Sequence, residues 1–477
     1  MELLEKMNRA EGILVYEKSC VSTGEGEAVM ILKDGFQFLA VTGALAEKFR
    51  GEVCDGYKLC PCDHENRLVL NEYFPWTKPV AMGRDTATFG YGDRMGFASA
   101  AQVQALADTP LLPVLAQQSL RELFLTGRTN TEVIDVAAWA VFREGYTKGF
   151  ASDGDHLKSA EEIANALAEG CTMITLDCSL GLKPCSDEEA AAEGAFEALP
   201  EDVQANYLAS YINSQDPAAL GLSFTKATMV KLHTIYGEAL KLLHHVYFDL
   251  LVPAGRPVDL EVSLDETEET TSPEAHYFVA VEMERQGIVA NSVAPKFVGE
   301  FQKAIDYIGD LEELDKTMAV HAAIADKFGF KLSLHSGSEK YSVLPLLAKH
   351  TKGRYHVKTS GTSWLEVVET ISKHAPDLYR KMHRVALLRL EDAKKHYVVH
   401  CDPARVKPLD EVADEDLPKY LELDQNDSRQ LMHINYGFIL EIPELKAEIL
   451  QFLRDNRAAY EAEARELYGR HINLLLN

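Results

Sequence analysis

Gly149-Phe150-Ala151-Ser152-Asp153-Gly154-Asp155-His156-Leu157-Lys158 follows a helix-like segment and places two carboxylates, an imidazole and an ammonium within six residues. The run 149–151 reads as a short strand, and the Asp, Gly and Ser after it read as the turn that ends it. A solvated loop with a helix N-cap would account for the small polar residues. It does not require Asp155, His156 and Lys158, which are reactive types. Three later segments also end a strand in acids, His or Lys, and the rest of the chain reads as scaffolding for those ends.

Outward from this stretch, the texture from Pro79 onward is an alternation of short strands and helices. Candidate strands are 86–89, 112–116, 149–151, 173–176, 258–262, 289–294, 331–334 and 355–358. Between them, 131–145, 226–251, 273–286, 311–328 and 364–374 carry apolar residues at i, i+3, i+4 spacing. Strands alternating with helices predict parallel β/α units, and this number in about 300 residues predicts an α/β (β/α)8 TIM barrel over 79–380. Residues 181–215, acidic and Ala-rich, read as a helical insertion after the fourth strand. Residues 1–78 read as a β-rich extension: 28–32 and 36–41 flank Lys33-Asp34-Gly35, a hairpin signal, and 66–70 reads as a further strand. Residues 381–477 read as a mainly helical α/β extension. Within it, 387–400 is a helix running into a short strand, 407–422 a loop with a short helix, and 444–466 a long amphipathic helix.

The 477 residues exceed one ordinary core, and 46% hydrophobic with 26% charged residues is the composition of a folded chain. A formal charge of −26 argues against nucleic acid, because phosphate binding needs basic surface. No run of about 18 apolar residues offers a membrane span. The mixed charge of 1–6, with no apolar stretch behind it, carries no secretory signal. The expectation is a cytoplasmic protein whose eight cysteines are reduced and mostly structural. Cys60-Pro61-Cys62 has no second ligand pair at zinc-finger spacing.

Catalytic groups of such a barrel project from the C-terminal ends of its strands. Those ends offer Asp153, Asp155, His156 and Lys158, then Asp177, then Glu261 and Asp265-Glu266-Thr267, then Lys296, then His335 and Lys340, then Lys358. His156 and His335 are metal-ligand candidates, since imidazoles from two strand ends with oxygen ligands nearby suit a divalent transition ion. His244, His245, His350 and His374 read as packing or surface, and His64 with Glu65 as a loop contact. Asp155 and Glu266 face a bound molecule from two sides, as acid and base for an inversion. Glu261, inside its strand, reads as a core acid, and Glu268 and Glu269 as a solvated loop. Asp177 is either a site residue or the partner of a barrel lysine. Lys296, Lys340, Lys358 and Arg429 are candidates for holding a substrate carboxylate. Gly90-Tyr91-Gly92 lacks the remainder of a dinucleotide fingerprint, Ser336-Gly337-Ser338 could offer amides to an anion, and no G-x-S-x-G is present.

GYGDRMG (90–96), PVLAQQS (113–119), GFASDGDHLK (149–158), SLDETEETTSPEAH (263–276), APKFVGEFQKAIDYIGD (294–310), LSLHSGSEKYS (332–342) and HVKTSGTSW (356–364) together resemble the tagaturonate/fructuronate epimerases of hexuronate catabolism. The resemblance runs over essentially the whole chain, with small departures at Ala151-Ser152 and near Lys340-Tyr341. It implies a metal-dependent barrel isomerase that interconverts D-tagaturonate and D-fructuronate by inversion at C4. It also implies Asp155 as proton acceptor, Glu266 as proton donor, and His156, His335 and Gln302 as metal ligands. Gln302 rests on the resemblance alone, because a Gln in a helix is ordinarily surface. Mn, Co, Ni and Zn all suit that ligand set.

The hydrogen on C4 is β to both the C2 ketone and the carboxylate, so enolisation cannot invert that carbon. The C4 hydroxyl makes the substrate a β-hydroxy ketone, which points to retro-aldol opening of C3–C4 and closure on the other face. Transient oxidation at C4 competes, but no nicotinamide site is visible. The rival readings are another metal-dependent aldolase or isomerase on the same barrel, and a non-catalytic sugar-acid binding protein. The long acidic helix and the β-rich start are candidates for contacts in a homo-oligomer.

Overall fold

Residues 2–266 and 269–476 are described by the computed structural model; Thr267 and Glu268 of the fifth-strand motif lie outside them. Strands β1 (Ile13–Thr23), β2 (Gly26–Lys33), β3 (Phe36–Val41), β4 (Glu52–Cys54) and β5 (Tyr57–Pro61) form an antiparallel sheet ordered β1-β2-β3-β5-β4. The expected hairpin joins β2 to β3 through Asp34 and Gly35, both at positive φ (51° and 79°), as a two-residue turn of the right twist demands. The strand expected at 66–70 is instead part of helix His64–Tyr73. Asp63 decides it: its carboxylate accepts from the Asn66 N–H and caps a helix that β-rich surroundings had disguised.

The barrel consists of β6 (Thr88–Tyr91), β7 (Leu112–Ser119), β8 (Ala151–Leu157), β9 (Met173–Asp177), β10 (Asp259–Leu264), β11 (Ser292–Pro295), β12 (Lys331–Leu334) and β13 (Tyr355–Thr359), all parallel, closed by β13 on β6. Helices Asn130–Arg143, Pro273–Gln286, Leu311–Phe328 and Thr362–His374 lie where the apolar spacing put them. Their buried stripes cover strands that are themselves buried on both faces. The insertion after β9 is helical, with Asp187–Ala190 and Glu201–Tyr207.

The third strand departs most from expectation. It begins at Ala151 and runs on through Leu157, so Asp153, Asp155 and His156 are strand residues, not turn residues. Pairing with β7 continues to Ser119↔Asp155, and a register shift between Gly154 and Leu157 on the β9 side leaves a bulge at His156. Partners for the buried acids outweigh their turn propensity.

At the C-terminal end of the chain, 397–400 forms no strand, and the long helix is two, Pro443–Asp455 and Arg457–Leu476, interrupted at Asn456. Helix Pro376–Ala393 passes through residue 380, so the chain leaves the barrel without a break in its backbone. All eight cysteines are free thiols, and among the described residues no helix is long and apolar enough to cross a membrane.

Candidate active site

Inside the barrel mouth a single ammonium sits among three carboxylates. Lys358 on β13 reaches Asp155 at 2.5 Å, Glu261 at 2.8 Å and Asp153 at 3.2 Å, and donates to Thr175 at 2.6 Å. All four charged groups are buried. Burial opposes ionisation of Asp155, but Lys358 and His156 outweigh it and bring its pKa down to about 2. Burial likewise opposes Glu261, and Lys358 with His335 holds it well below the usual carboxylate range. Asp153 is raised, because burial and the charges of its two neighbours exceed what Lys358 returns. Three acids share one lysine, and Asp153 is the one left short.

Above this layer lies a cavity of about 340 Å3, lined by Asp155, His156, Asp177, Asp265, Glu266, His335 and Lys358. His156, Asp265 and His335 place donor atoms within 4.8 Å of one another, a cluster that could hold a metal ion. The two rings meet edge to face, 4.8 Å between centroids. His335 Nε2 lies 2.8 Å from Glu261 Oε1, the carboxylate–imidazole arrangement that orients a ligating histidine. Its Nδ1 lies 3.0 Å from Asp265 Oδ1 yet makes no hydrogen bond. His156 Nδ1 is also buried and unpartnered, and His156 stands at φ 57°, a left-handed conformation costing on the order of 1–3 kcal/mol. The bulge in β8 turns this imidazole into the cavity.

Burial disfavours a charge on His335, but Asp265 and Glu261 overcome it and raise its pKa to about 10. Acids that hold a proton on an imidazole so firmly make a place for positive charge, and metal binding displaces that proton. The donor set therefore fits a divalent cation: two orphaned imidazole nitrogens, one carboxylate, and Glu261 behind.

The other expected site residues divide. Asp177 does both things considered for it, lining the cavity and pairing with Lys158 at 3.2 Å. Glu266 is an exposed residue on the rim. Gln302 is not brought into the His156–His335 cluster. Its Oε1 already accepts from the His400 N–H at 3.0 Å and Gln430 Nε2 at 2.8 Å, and it does not line the cavity. Asp265 offers the oxygen instead. Lys340 is not a substrate contact either: its buried Nζ donates to the carbonyls of Gln302, Ile305 and Ser338, and burial lowers its pKa to about 7. Arg429 clamps the Ala304 and Leu421 carbonyls. Lys296 braces the loop after β10 by exchanging backbone contacts with Thr271, and its side chain does not line the cavity. Of the four expected carboxylate binders only Lys358 reaches the cavity, and it is committed to acids.

Lining residues that were not anticipated include Arg94 after β6, Glu122 after β7, Lys303 after β11, and His433 from the C-terminal extension. Arg94 and Lys303 sit inside quoted motifs, GYGDRMG and APKFVGEFQKAIDYIGD, so the signal was present; His433 had none.

Comparison with known proteins gives the family. Residues 16–475 match the UxaE family, tagaturonate epimerase. The chain belongs to that family. A tagaturonate/fructuronate epimerase of Thermotoga maritima is 38% identical over 476 residues, 97% of each chain. The fructuronate-tagaturonate epimerase UxaE of Cohnella laeviribosi, as a glycerol complex, is 43% identical with a TM-score of 0.93, covering 99% of this chain and 98% of its own. Its native crystal structure gives the same values.

Proposed function

We propose that this family member is an isomerase that inverts C4 of a hexulosonate, interconverting D-tagaturonate and D-fructuronate, with a divalent metal held by His156, Asp265 and His335. The observation that carries the reading is this cluster beside ionised Asp155 at the barrel mouth, in a chain related over its whole length to proteins of that name. A bound cation would supply Lewis acidity toward a substrate oxygen.

The chain's own residues do the rest. Asp155 is ionised throughout the physiological range and takes the proton of the C4 hydroxyl. The electron pair of that O–H becomes the C4 carbonyl as C3–C4 opens, and the pair of C3–C4 passes to the C1–C3 enediolate. Lys358 offsets the charge of Asp155 and Glu261 while the proton is in transit. The C4–C6 aldehyde turns its other face, C3–C4 re-forms, and the C4 oxygen takes a proton from Glu266, on the rim after β10. No atom is gained or lost.

Metal-stripped protein should convert D-fructuronate to D-tagaturonate, followed by NMR, only when a divalent ion is restored. A folded protein that converts nothing with Mn, Co, Ni or Zn sinks the reading and moves the search to aldol substrates.

A further inference from the structure

The cavity has two unlike walls. In the ring of strands, β13 and β6 stand across from β9 and β10. The acids and imidazoles above come chiefly from β8, β9 and β10. Facing them, the ends of β6 and β13 contribute Arg94 and the start of helix Thr362–His374, the loop after β11 adds Lys303, and the C-terminal extension adds His433.

Arg94 is 3% exposed, lies 3.9 Å above the Tyr436 ring, and pairs through Nε at 2.9 Å and through Nη2 with Glu122, which lines the same cavity. Its Nη1 is buried with no partner. His433 is 1% exposed, and neither ring nitrogen has a partner. Gly361 precedes the helix without a side-chain cap, and a Cβ there would stand 2.3 Å from the His433 ring, so glycine alone admits imidazole and helix start side by side. An unpartnered guanidinium nitrogen and an unpartnered imidazole thus meet on one wall, beside Gly361 where the helix begins. Lys303 donates to Ser336 at 3.0 Å and brings a mobile charge to the same place.

We propose that Arg94, Lys303 and His433, with the amides at the start of helix Thr362–His374, seat the terminal carboxylate of the substrate. The inference rests on the hexulosonate reading and names the part of the molecule that wall accepts. A carboxylate offers oxygens to the free Arg94 Nη1 and to His433, and guanidinium and ammonium both form charge-assisted hydrogen bonds with it. The electrostatics agree: burial holds the His433 pKa well below its ordinary value, and Arg94, Lys303, Arg429 and Lys340 push the same way. The seat also serves the chemistry. After C3–C4 opens, the carboxylate stays on the aldehyde fragment, so a fixed C6 lets C4 turn without the fragment leaving.

Steady-state kinetics on D-fructuronate with metal-loaded wild type, Lys303→Met and Lys303→Arg test it. The expectation is a KM raised roughly 10- to 100-fold in K303M with kcat changed far less, and recovery of most of that loss in K303R. D-glycerate, which carries the same terminal carboxylate, should compete with substrate in the wild type. A wild type that converts substrate while K303M keeps its KM, or while D-glycerate inhibits without competing, overturns the seat alone. A folded wild type that converts nothing overturns the epimerase reading beneath it. Should K303M fail to fold, the D-glycerate pattern on wild type still decides.

Discussion

Two groups of buried carboxylates lie on either side of the loop that follows β12, and they carry charge in opposite ways. In front, Asp155 and Glu261 are depressed despite complete burial, because Lys358 stands among them at 2.5 and 2.8 Å. Behind, Glu366 on helix Thr362–His374 is equally sequestered beside a second cavity, and its pKa is pushed up to about 8. Burial comes first among its causes, then the charges of Glu369 and Glu463. The nearest ammonium, Lys373, is already spent on those two at 2.9 and 3.1 Å. Burial is the same in both places; what differs is whether a cation sits inside the cluster or at its edge. A buried acid is ionised at neutral pH in the first case and largely protonated in the second.

The largest expected effect comes from removing the imidazole that stands between two acids at the front. In the proposed mechanism His335→Ala leaves Glu261 and Asp265 facing each other without a ring between them. Elemental analysis should find the purified variant without its divalent ion, and conversion of D-fructuronate should fall below detection. An active variant with full metal content would show that the cluster is not the metal site. Asp155→Asn should be gentler. It keeps the ligands and loses the base, so kcat should drop roughly 10²- to 10⁴-fold with metal content unchanged.

Lys358→Met would convert the front cluster into a copy of the rear one. Removing one partner of a buried ion pair costs about 3–5 kcal/mol, because the other charges are left uncompensated. The sign with pH follows. Without Lys358 the folded pKa values of these acids rise above their unfolded values, so their contribution is intact at low pH and lost as pH rises. Urea unfolding should therefore show a stability deficit against wild type that is larger at pH 8 than at pH 5. A deficit independent of pH would mean that packing, not charge, is what Lys358 contributes.

How much of this contrast could be read from the chain depended on distance in sequence. The barrel was legible because each β/α unit advertises itself locally, through a short apolar run and then a 3.6-residue stripe. His156, His335, Asp155 and Lys358 could be placed at the barrel mouth because they end strands, although Lys358 meets acids there and not the substrate carboxylate expected of it. The oxygen beside the two imidazoles was not: Asp265 and Gln302 both sit in quoted motifs, and only the fold shows Gln302 turned to His400 and Gln430 while Asp265 turns to His335. Lys340 and Arg429 misled for the same reason, since a lysine after a strand looks identical whether it meets substrate or three backbone carbonyls. His433 arrives from 74 residues beyond the last strand, which ends at Thr359, where no barrel rule reaches. The helix at His64–Tyr73 was missed for want of weighing one cap, Asp63, against a β-rich neighbourhood.

The smallest effect probes the rear cluster and completes the comparison. A carboxyl raised from 4.5 to about 8 binds its proton more tightly in the folded state, so it supports the fold fully below about 4.5 and loses that support as pH climbs through 8. Each pH unit between the two values is worth about 1.4 kcal/mol at the limit of full burial. Glu366→Gln replaces the protonated acid with a neutral group of the same shape that cannot ionise. It should leave epimerisation unchanged, since Glu366 does not line the catalytic cavity. It should match wild type in thermal unfolding near pH 5 and exceed it progressively toward pH 8. Parallel melting curves for the two proteins over that window would mean that the rear acids are already neutralised by Lys373 and Arg470, and the distinction between a cation inside a buried cluster and one at its edge would lose its force.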